Sequence, residues 1–161
     1  MDDRNLLAVA EQAAAVAYAP YSGAKVGATL LASDGRFFTG CNVENASYGL
    51  TVCAERAAVF KAVSEGARKF RRLAVYVYAD HLFTPCGACR QVLHEFAPDL
   101  TLLLSCANGE TREARLADLL PQPFANPRSG PPSGAADLDD GRGGAGPGSR
   151  RATSRPRGGG R

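Results

Sequence analysis

Over residues 4–19 the apolar positions recur at helical spacing. Leu6, Leu7, Val9, Ala10, Ala13, Ala14, Val16 and Ala17 form a wide stripe, which predicts a helix packed on a sheet and ended by Pro20. Beyond the turn Tyr21-Ser22-Gly23 the pattern tightens. Residues 25–31 and 36–42 read as two strands, and Ser33-Asp34-Gly35 between them is a hairpin signal that makes them antiparallel. Helical spacing returns at 53–66 with Ala54, Ala57, Ala58, Phe60, Ala62 and Val63, closed by Gly66. Residues 73–78 are apolar enough for a central strand. A second Pro-bounded helix is expected at 87–97, a strand at 100–105, a turn at Asn108-Gly109, a short strand at 110–114 and a short helix at 116–121.

The order α-β-β-α-β-α-β-β predicts an α/β sandwich with a mixed sheet. Strand 36–42, helix 53–66 and strand 73–78 form a crossover, so those two strands run parallel. The polar stretch 43–52, between a strand and a helix, is the kind of loop that carries function.

Composition divides the chain. Residues 127–161 hold ten glycines, five prolines and seven arginines, with Leu138 as the one large apolar residue. Such a segment cannot offset its chain entropy by burial, so a folded domain over 1–126 and a Gly/Pro/Arg-rich disordered tail over 127–161 are expected. The tail has seven Arg against three Asp, a charge of +4. The body has twelve basic against thirteen acidic residues, a charge of −1. A basic tail is able to touch RNA or a membrane surface; a solvated extension is the plainer reading. The acidic start Met1-Asp2-Asp3-Arg4 does not resemble a secretory leader, and no run approaches a membrane span. These features point to a soluble, cytoplasmic protein with reduced thiols. There, grouped cysteines mean metal or redox chemistry more than disulfides.

Of the five cysteines, Cys53, Cys86 and Cys89 carry the chemistry. The crossover puts Cys53 and Cys86 beyond the carboxyl ends of two parallel strands, hence at one edge of the sheet, and each opens a helix whose dipole favours thiolate. Cys86 and Cys89, at i and i+3, share a helix face. Three thiolates leave the fourth position of a tetrahedral zinc open, as in a catalytic site. Glu55 is the natural general acid/base. Positions i and i+2 do not face each other on a helix, so Cys53 and Glu55 meet only if Cys53 is at or near the N-cap. A zinc with three thiolates carries a net −1, which Arg56 is placed to offset by hydrogen bonds to sulfur. A structural zinc would need a fourth ligand from Cys41, Cys106, His81 or His94, none at a regular spacing. A redox pair at Cys86-Gly-Ala-Cys89 would need neither Cys53 nor Glu55. Cys41 and Cys106 read as buried apolar thiols, and His81 and His94 as surface or structural residues.

Ala19-Pro20-Tyr21-Ser22, Val26-Gly27-Ala28, Gly40-Cys41-Asn42-Val43-Glu44-Asn45-Ala46-Ser47-Tyr48, Cys53-Ala54-Glu55-Arg56 and Pro85-Cys86-Gly87-Ala88-Cys89-Arg90-Gln91-Val92 together resemble the small homotetrameric cytidine deaminases, over about residues 5–124. Cys-x-Glu followed by Pro-Cys-x-x-Cys is the general signature of zinc deaminases. The resemblance implies a cytidine-deaminase-like three-layer α/β/α sandwich with a five-stranded mixed sheet. It also implies hydrolytic deamination of cytidine and deoxycytidine in pyrimidine salvage, with one zinc per subunit on Cys53, Cys86 and Cys89. Glu55 would take a proton from the attacking water, pass it to N3 and later help protonate the leaving amine. Asn42 and Glu44 would bind the ribose hydroxyls, and the backbone around Cys53–Ala54 and Pro85–Cys86 would orient the ring. In a homotetramer with shared active sites, Phe124, Ala46 and Tyr48 are the candidates to reach a neighbour's substrate. Asn42 and Asn45 have a second reading as caps of turn backbone. One position departs from the family: Ala24 stands where an aromatic usually packs on the pyrimidine ring, which removes stacking and apolar burial.

Two other functions fit parts of the pattern. One is deamination of a nucleoside antibiotic such as blasticidin S, which Asn42 and Glu44 oppose and Ala24 keeps open. The other is a nucleic-acid-binding or editing deaminase using the basic tail, for which the body offers no basic or aromatic track.

Overall fold

In the computed structural model, which describes residues 1–126, helix α1 (Asp3–Ala15) starts where the Asp2 carboxylate accepts a hydrogen bond from the Asn5 N–H at 2.8 Å. The expected tail, 127–161, lies outside the described residues. Helix α1 ends four residues earlier than the apolar stripe predicts, and Pro20 does not stop it. Tyr18 instead forms a bridge with Val43: its N–H donates to Asn42 O at 3.0 Å and its carbonyl accepts from Glu44 N at 2.8 Å. Those bonds draw the chain around Tyr18 out of the helix, which turns off at Val16.

The strands are β1 (Val26–Ala32), β2 (Phe37–Cys41), β3 (Phe70–Val77), β4 (Thr101–Cys106) and β5 (Thr111–Arg115), in the spatial order β2-β1-β3-β4-β5. β1 is antiparallel to both β2 and β3, β4 is parallel to β3, and β5 is antiparallel to β4. The expected parallelism of β2 and β3 is present, but β1 lies between them, so the crossover through helix α2 (Ala54–Ser64) spans a strand. The register aligns Cys41 with Gly27, Val26 with Val77, and Val77 with Cys106. The carboxyl ends of β2, β3 and β4 therefore share one edge. The charged edge strand β5, Thr-Arg-Glu-Ala-Arg, is mostly exposed, which discourages pairing with another sheet.

Helix α1 covers one face through Leu6, Ala10 and Ala14, packed on Leu31, Ala74, Tyr76 and Leu103. Helices α2, α3 (Gly87–Phe96) and α4 (Leu116–Leu119) lie on the other. This is the three-layer α/β/α arrangement with a five-stranded mixed sheet. Leu30, Leu73, Leu93, Leu102 and Leu104 are essentially fully buried, and each contributes about 1.5–3 kcal/mol.

Two glycines set how closely the helices approach. A Cβ on Gly27 would lie 2.0 Å from Ala10 O and 2.4 Å from Ala14 N in α1. One on Gly40 would lie 2.4 Å from Ala54 O and 2.5 Å from Ala58 N in α2. At both sites helix backbone rests directly on strand backbone, and only glycine permits it.

Candidate active site

At the shared strand edge the chain turns twice into a helix, each time through a cysteine. Cys53 is the N-cap of α2, with φ −73° and ψ 156°, and Cys86 is the N-cap of α3, with φ −64° and ψ 164°. These extended conformations meet the condition under which Cys53 and Glu55 converge. Neither thiol caps its own helix, so the sulfurs are free for another partner. Cys53 Sγ lies 3.8 Å from Cys86 Sγ, Cys86 Sγ lies 3.5 Å from Cys89 Sγ, and all three sulfurs fall within 4.8 Å of one another. Sulfurs bound tetrahedrally to one zinc at about 2.3 Å stand about 3.8 Å apart, so the set fits that ion. Among the described residues no fourth side chain joins the group, which leaves a position for water or substrate. The set grades from buried Cys89 through half-buried Cys53 to exposed Cys86, so one side opens to solutes.

Glu55 is 5% exposed, and its carboxylate accepts from the Cys89 thiol at 3.7 Å. Burial, opposed by the backbone N–H and reinforced by the charge on Cys53, raises its pKa to about 7. A carboxyl poised there can give and take a proton at neutral pH. The Cys89 hydrogen bond and the Arg56 guanidinium, working against burial, lower the Cys53 thiol to about 5. Cys89 is pushed upward by its hydrogen bond to Cys53, by burial and by the nearby Glu55. Negative charge thus collects on Cys53 and resists spreading until a cation is added; a bound metal ion deprotonates its thiols. Arg56 donates through Nη2 to Thr51 O at 3.0 Å and to Cys53 Sγ at 3.5 Å.

On the strand side, Asn42 is 8% exposed. Its Oδ1 accepts from Val26 N and its Nδ2 donates to Ala24 O, both at 2.8 Å. Asn45 Oδ1 accepts from Ser47 N at 2.8 Å. Both asparagines therefore cap turn backbone; Asn42 retains one N–H and one lone pair for a further partner. The Glu44 carboxylate accepts from the Ser22 hydroxyl, from Tyr21 N at 2.8 Å and from Ser22 N at 3.2 Å. The Ser22 hydroxyl first, then the Tyr21 N–H, hold its pKa below the usual carboxylate range. Ala24 is half-buried, its N–H donating to Ser22 Oγ at 3.0 Å. Ala54, the first residue of α2, is fully buried. Tyr48 lies in the single 3₁₀ turn 48–50 with its ring edge-on to Tyr21, at 5.8 Å between centroids. Tyr48 and Phe124 stand out from the surface, 73% and 75% exposed.

The remaining thiols differ partly from expectation. Cys106 is buried but donates to Asn108 Oδ1 at 3.1 Å, so it is not in a purely apolar setting. Cys41 is half-buried rather than buried, because it lies at the end of edge strand β2. His81 packs on Phe83, 5.1 Å between ring centroids, apart from the sulfur cluster. Three residues went unassigned in the sequence. Arg90 donates to Pro85 O at 2.6 Å, Thr84 Oγ1 at 2.9 Å and Leu119 O at 2.8 Å, bracing the turn that presents Cys86. Gln91 reaches Phe124, and Ser22 holds Glu44. The adjacency of Arg90 and Gln91 to Cys89 was the available signal; no spacing marked Ser22.

An α/β sheet edge bearing three convergent thiols and a buried carboxyl presents a group that could hold a metal ion beside a proton carrier, the pattern of a hydrolytic metalloenzyme. The profile of the cytidine and deoxycytidylate deaminase zinc-binding region matches residues 1–104. Cytidine deaminase of Sporosarcina psychrophila is 47% identical over 126 residues, 78% of this chain and 93% of that protein. The crystal structure of cytidine deaminase from Burkholderia pseudomallei aligns with a TM-score of 0.74 at 47% identity, covering 77% of this chain and all of that one. Blasticidin-S deaminase of Bacillus cereus is more distant, 30% identical over 104 residues, 60% of this chain and 74% of that protein. The chain belongs to the cytidine deaminase family of zinc-dependent hydrolases.

Proposed function

We propose that the protein deaminates cytidine and deoxycytidine hydrolytically, giving uridine or deoxyuridine and ammonia, as a step of pyrimidine salvage. The observation that carries this reading is the buried Glu55 carboxyl, 3.7 Å from the sulfur of a cysteine set open on one side. Cys53, Cys86 and Cys89 would hold one zinc per subunit. When bound, the zinc acts as a Lewis acid and makes water a nucleophile near neutral pH. Glu55 takes the proton from the water that adds at C4 and delivers it to N3. The carboxylate then takes the second proton, from the hydroxyl now on C4, and gives it to the amine; the C4–N bond breaks, ammonia leaves, the C4 carbonyl forms and the carboxylate is regenerated. Arg56 offsets the thiolate charge beside it. The backbone at Ala54 and at Cys86, each opening a helix, offers N–H donors that orient the ring. Asn42 and Glu44, already braced by the 21–26 loop, would bind the sugar hydroxyls.

Tyr48 and Phe124 would serve a neighbouring copy in a homotetramer with shared active sites; their exposure supports this. The identity to cytidine deaminases, set against 30% to the antibiotic deaminase, favours the nucleoside substrate. No helix among the described residues is long and apolar enough to cross a membrane, which is compatible with a cytoplasmic enzyme. The test is ultraviolet and ammonia assays on cytidine, deoxycytidine and blasticidin S in turn, with zinc content read on the same sample. Turnover of a nucleoside, abolished in a Glu55→Ala variant that keeps its zinc, is expected. Zinc-loaded protein that converts blasticidin S alone would redirect the assignment.

A further inference from the structure

The chain after α4 reads Leu120-Pro121-Gln122-Pro123-Phe124. Two of these residues have no N–H, so the segment cannot form a ladder of backbone bonds. Its fastening falls on Gln91. The side-chain Nε2 donates to Phe124 O at 2.9 Å, and Phe124 N donates to Gln91 Oε1 at 2.9 Å. One carboxamide thus engages both backbone groups of a single residue, as a neighbouring strand would. Upstream, Arg90 Nη1 holds Leu119 O at 2.8 Å. Both anchors follow Cys89 directly on α3, so the helix that supplies two sulfurs also fixes where Phe124 stands. The Phe124 ring, 75% exposed, is held by its backbone and not by packing. Rigid backbone under an unpacked aromatic ring suits presentation to an outside partner: the ordering entropy is already spent before contact.

We propose that Gln91 is a positioning residue, clasping Phe124 so that its ring is presented to the nucleoside in the active site of another copy of this chain. The proposal rests on the assignment of Phe124 to a neighbour's substrate. It goes further in naming the group that sets the ring's place. Without the clasp, the segment from Leu120 onward swings free of α3 while the cysteine set and Glu55 stay in position. The ring then becomes entropically costly to recruit, which is a loss of substrate binding and not of chemistry.

The test compares Gln91→Met, similar in length but unable to make the paired hydrogen bonds, with Phe124→Ala and the double variant, all in the full zinc-loaded chain. Gln91→Met is expected to raise KM for cytidine about tenfold, with kcat changed less than about threefold and zinc content unchanged. In the Phe124→Ala background the same substitution is expected to add nothing, because the ring it positions is gone. A second readout needs no activity: chymotryptic cleavage after Phe124, followed by mass spectrometry and normalised to cleavage elsewhere, should accelerate about tenfold in Gln91→Met. Unchanged cleavage overturns the clasp even if wild-type protein turns over no nucleoside. A rise in KM with Phe124→Ala but none with Gln91→Met, or KM effects that multiply in the double variant, overturns the positioning role while leaving the Phe124 contact intact. An unchanged KM in Phe124→Ala overturns that contact and the positioning role together, with cytidine turnover itself untouched.

Discussion

Gly40→Ala should damage the metal site from the far side of helix α2. The added Cβ would sit 2.4 Å from Ala54 O and 2.5 Å from Ala58 N, both helix backbone that cannot rotate away. Restoring ordinary contact, roughly 3.4 Å, requires α2 to move by about 1 Å. Cys53 caps that helix and Glu55 lies in its first turn. A shift of that size would carry the Cys53–Cys86 sulfur separation from 3.8 Å to nearly 5 Å, about 1 Å beyond what one tetrahedral zinc accepts. Overpacking alone should cost about 1–3 kcal/mol of stability. Zinc affinity should fall about 10- to 100-fold and kcat about 100-fold. Gly27→Ala is the matched control: its Cβ would strike α1 even more closely, at 2.0 Å from Ala10 O, yet α1 supplies no side chain to the sulfur cluster. Circular dichroism and thermal melts should show both variants folded and destabilised. Competition with a chromogenic chelator should show zinc weakened in Gly40→Ala alone. β2 is an edge strand, and strand displacement is the competing way to relieve the clash. If the two variants bind zinc within about threefold of each other, the strand yielded, and the rigid seating of α2 on Gly40 is refuted.

Other outcomes follow from the same geometry. In metal-free protein, folded Glu55 keeps its proton to about pH 7 whereas the unfolded residue releases it near 4.5, so the folded state binds the extra proton and stability from this group falls as pH rises between those values. Glu55→Gln should therefore gain stability over wild type as pH rises, by up to about 3 kcal/mol above pH 7 and by little below 4.5, as read by urea unfolding of the zinc-free proteins; a pH-independent difference would contradict the buried neutral carboxyl. Arg56→Gln removes the guanidinium 3.5 Å from Cys53 Sγ and should weaken zinc binding about 10- to 100-fold, measured by chelator competition. Ala24→Phe should lower KM for cytidine several-fold, since an aromatic contact contributes about 0.5–1.5 kcal/mol beyond burial; a raised KM in steady-state assays would mean that the site has closed around alanine.

Much of this architecture was readable because it is written in local signals. Cys53, Cys86 and Cys89 each sit beside an apolar period that declares a helix, and the crossover rule brings their strand ends to one edge. The condition on Cys53 could be stated but not decided, since N-cap dihedrals depend on how the preceding loop arrives. What escaped was non-local. Helix α1 stops at Ala15 because Tyr18 bonds to Asn42 and Glu44, residues more than twenty positions away. The place of β1 between β2 and β3 is a choice of pairing, and both strand orders bury the same alternation. The partner of Gln91 is the backbone of Phe124, which leaves no trace in residue type, and that of Ser22 is the Glu44 carboxylate, more than twenty positions away and at no regular spacing.

The seam between β1 and β3 sets the order in which this protein can acquire its metal. Cys86 and Cys89 belong to one helix and are neighbours as soon as that helix forms. Cys53 travels with the β1–β2 hairpin and α2, and it arrives only when Val26 finds Val77 across fifty residues of chain. A three-sulfur grip on a metal would therefore be closed by the most non-local strand pairing among the described residues, the kind that forms late. Tight zinc retention would then serve as a certificate of finished assembly: a chain that had misplaced its first hairpin would hold the ion by two thiols and surrender it to competing ligands.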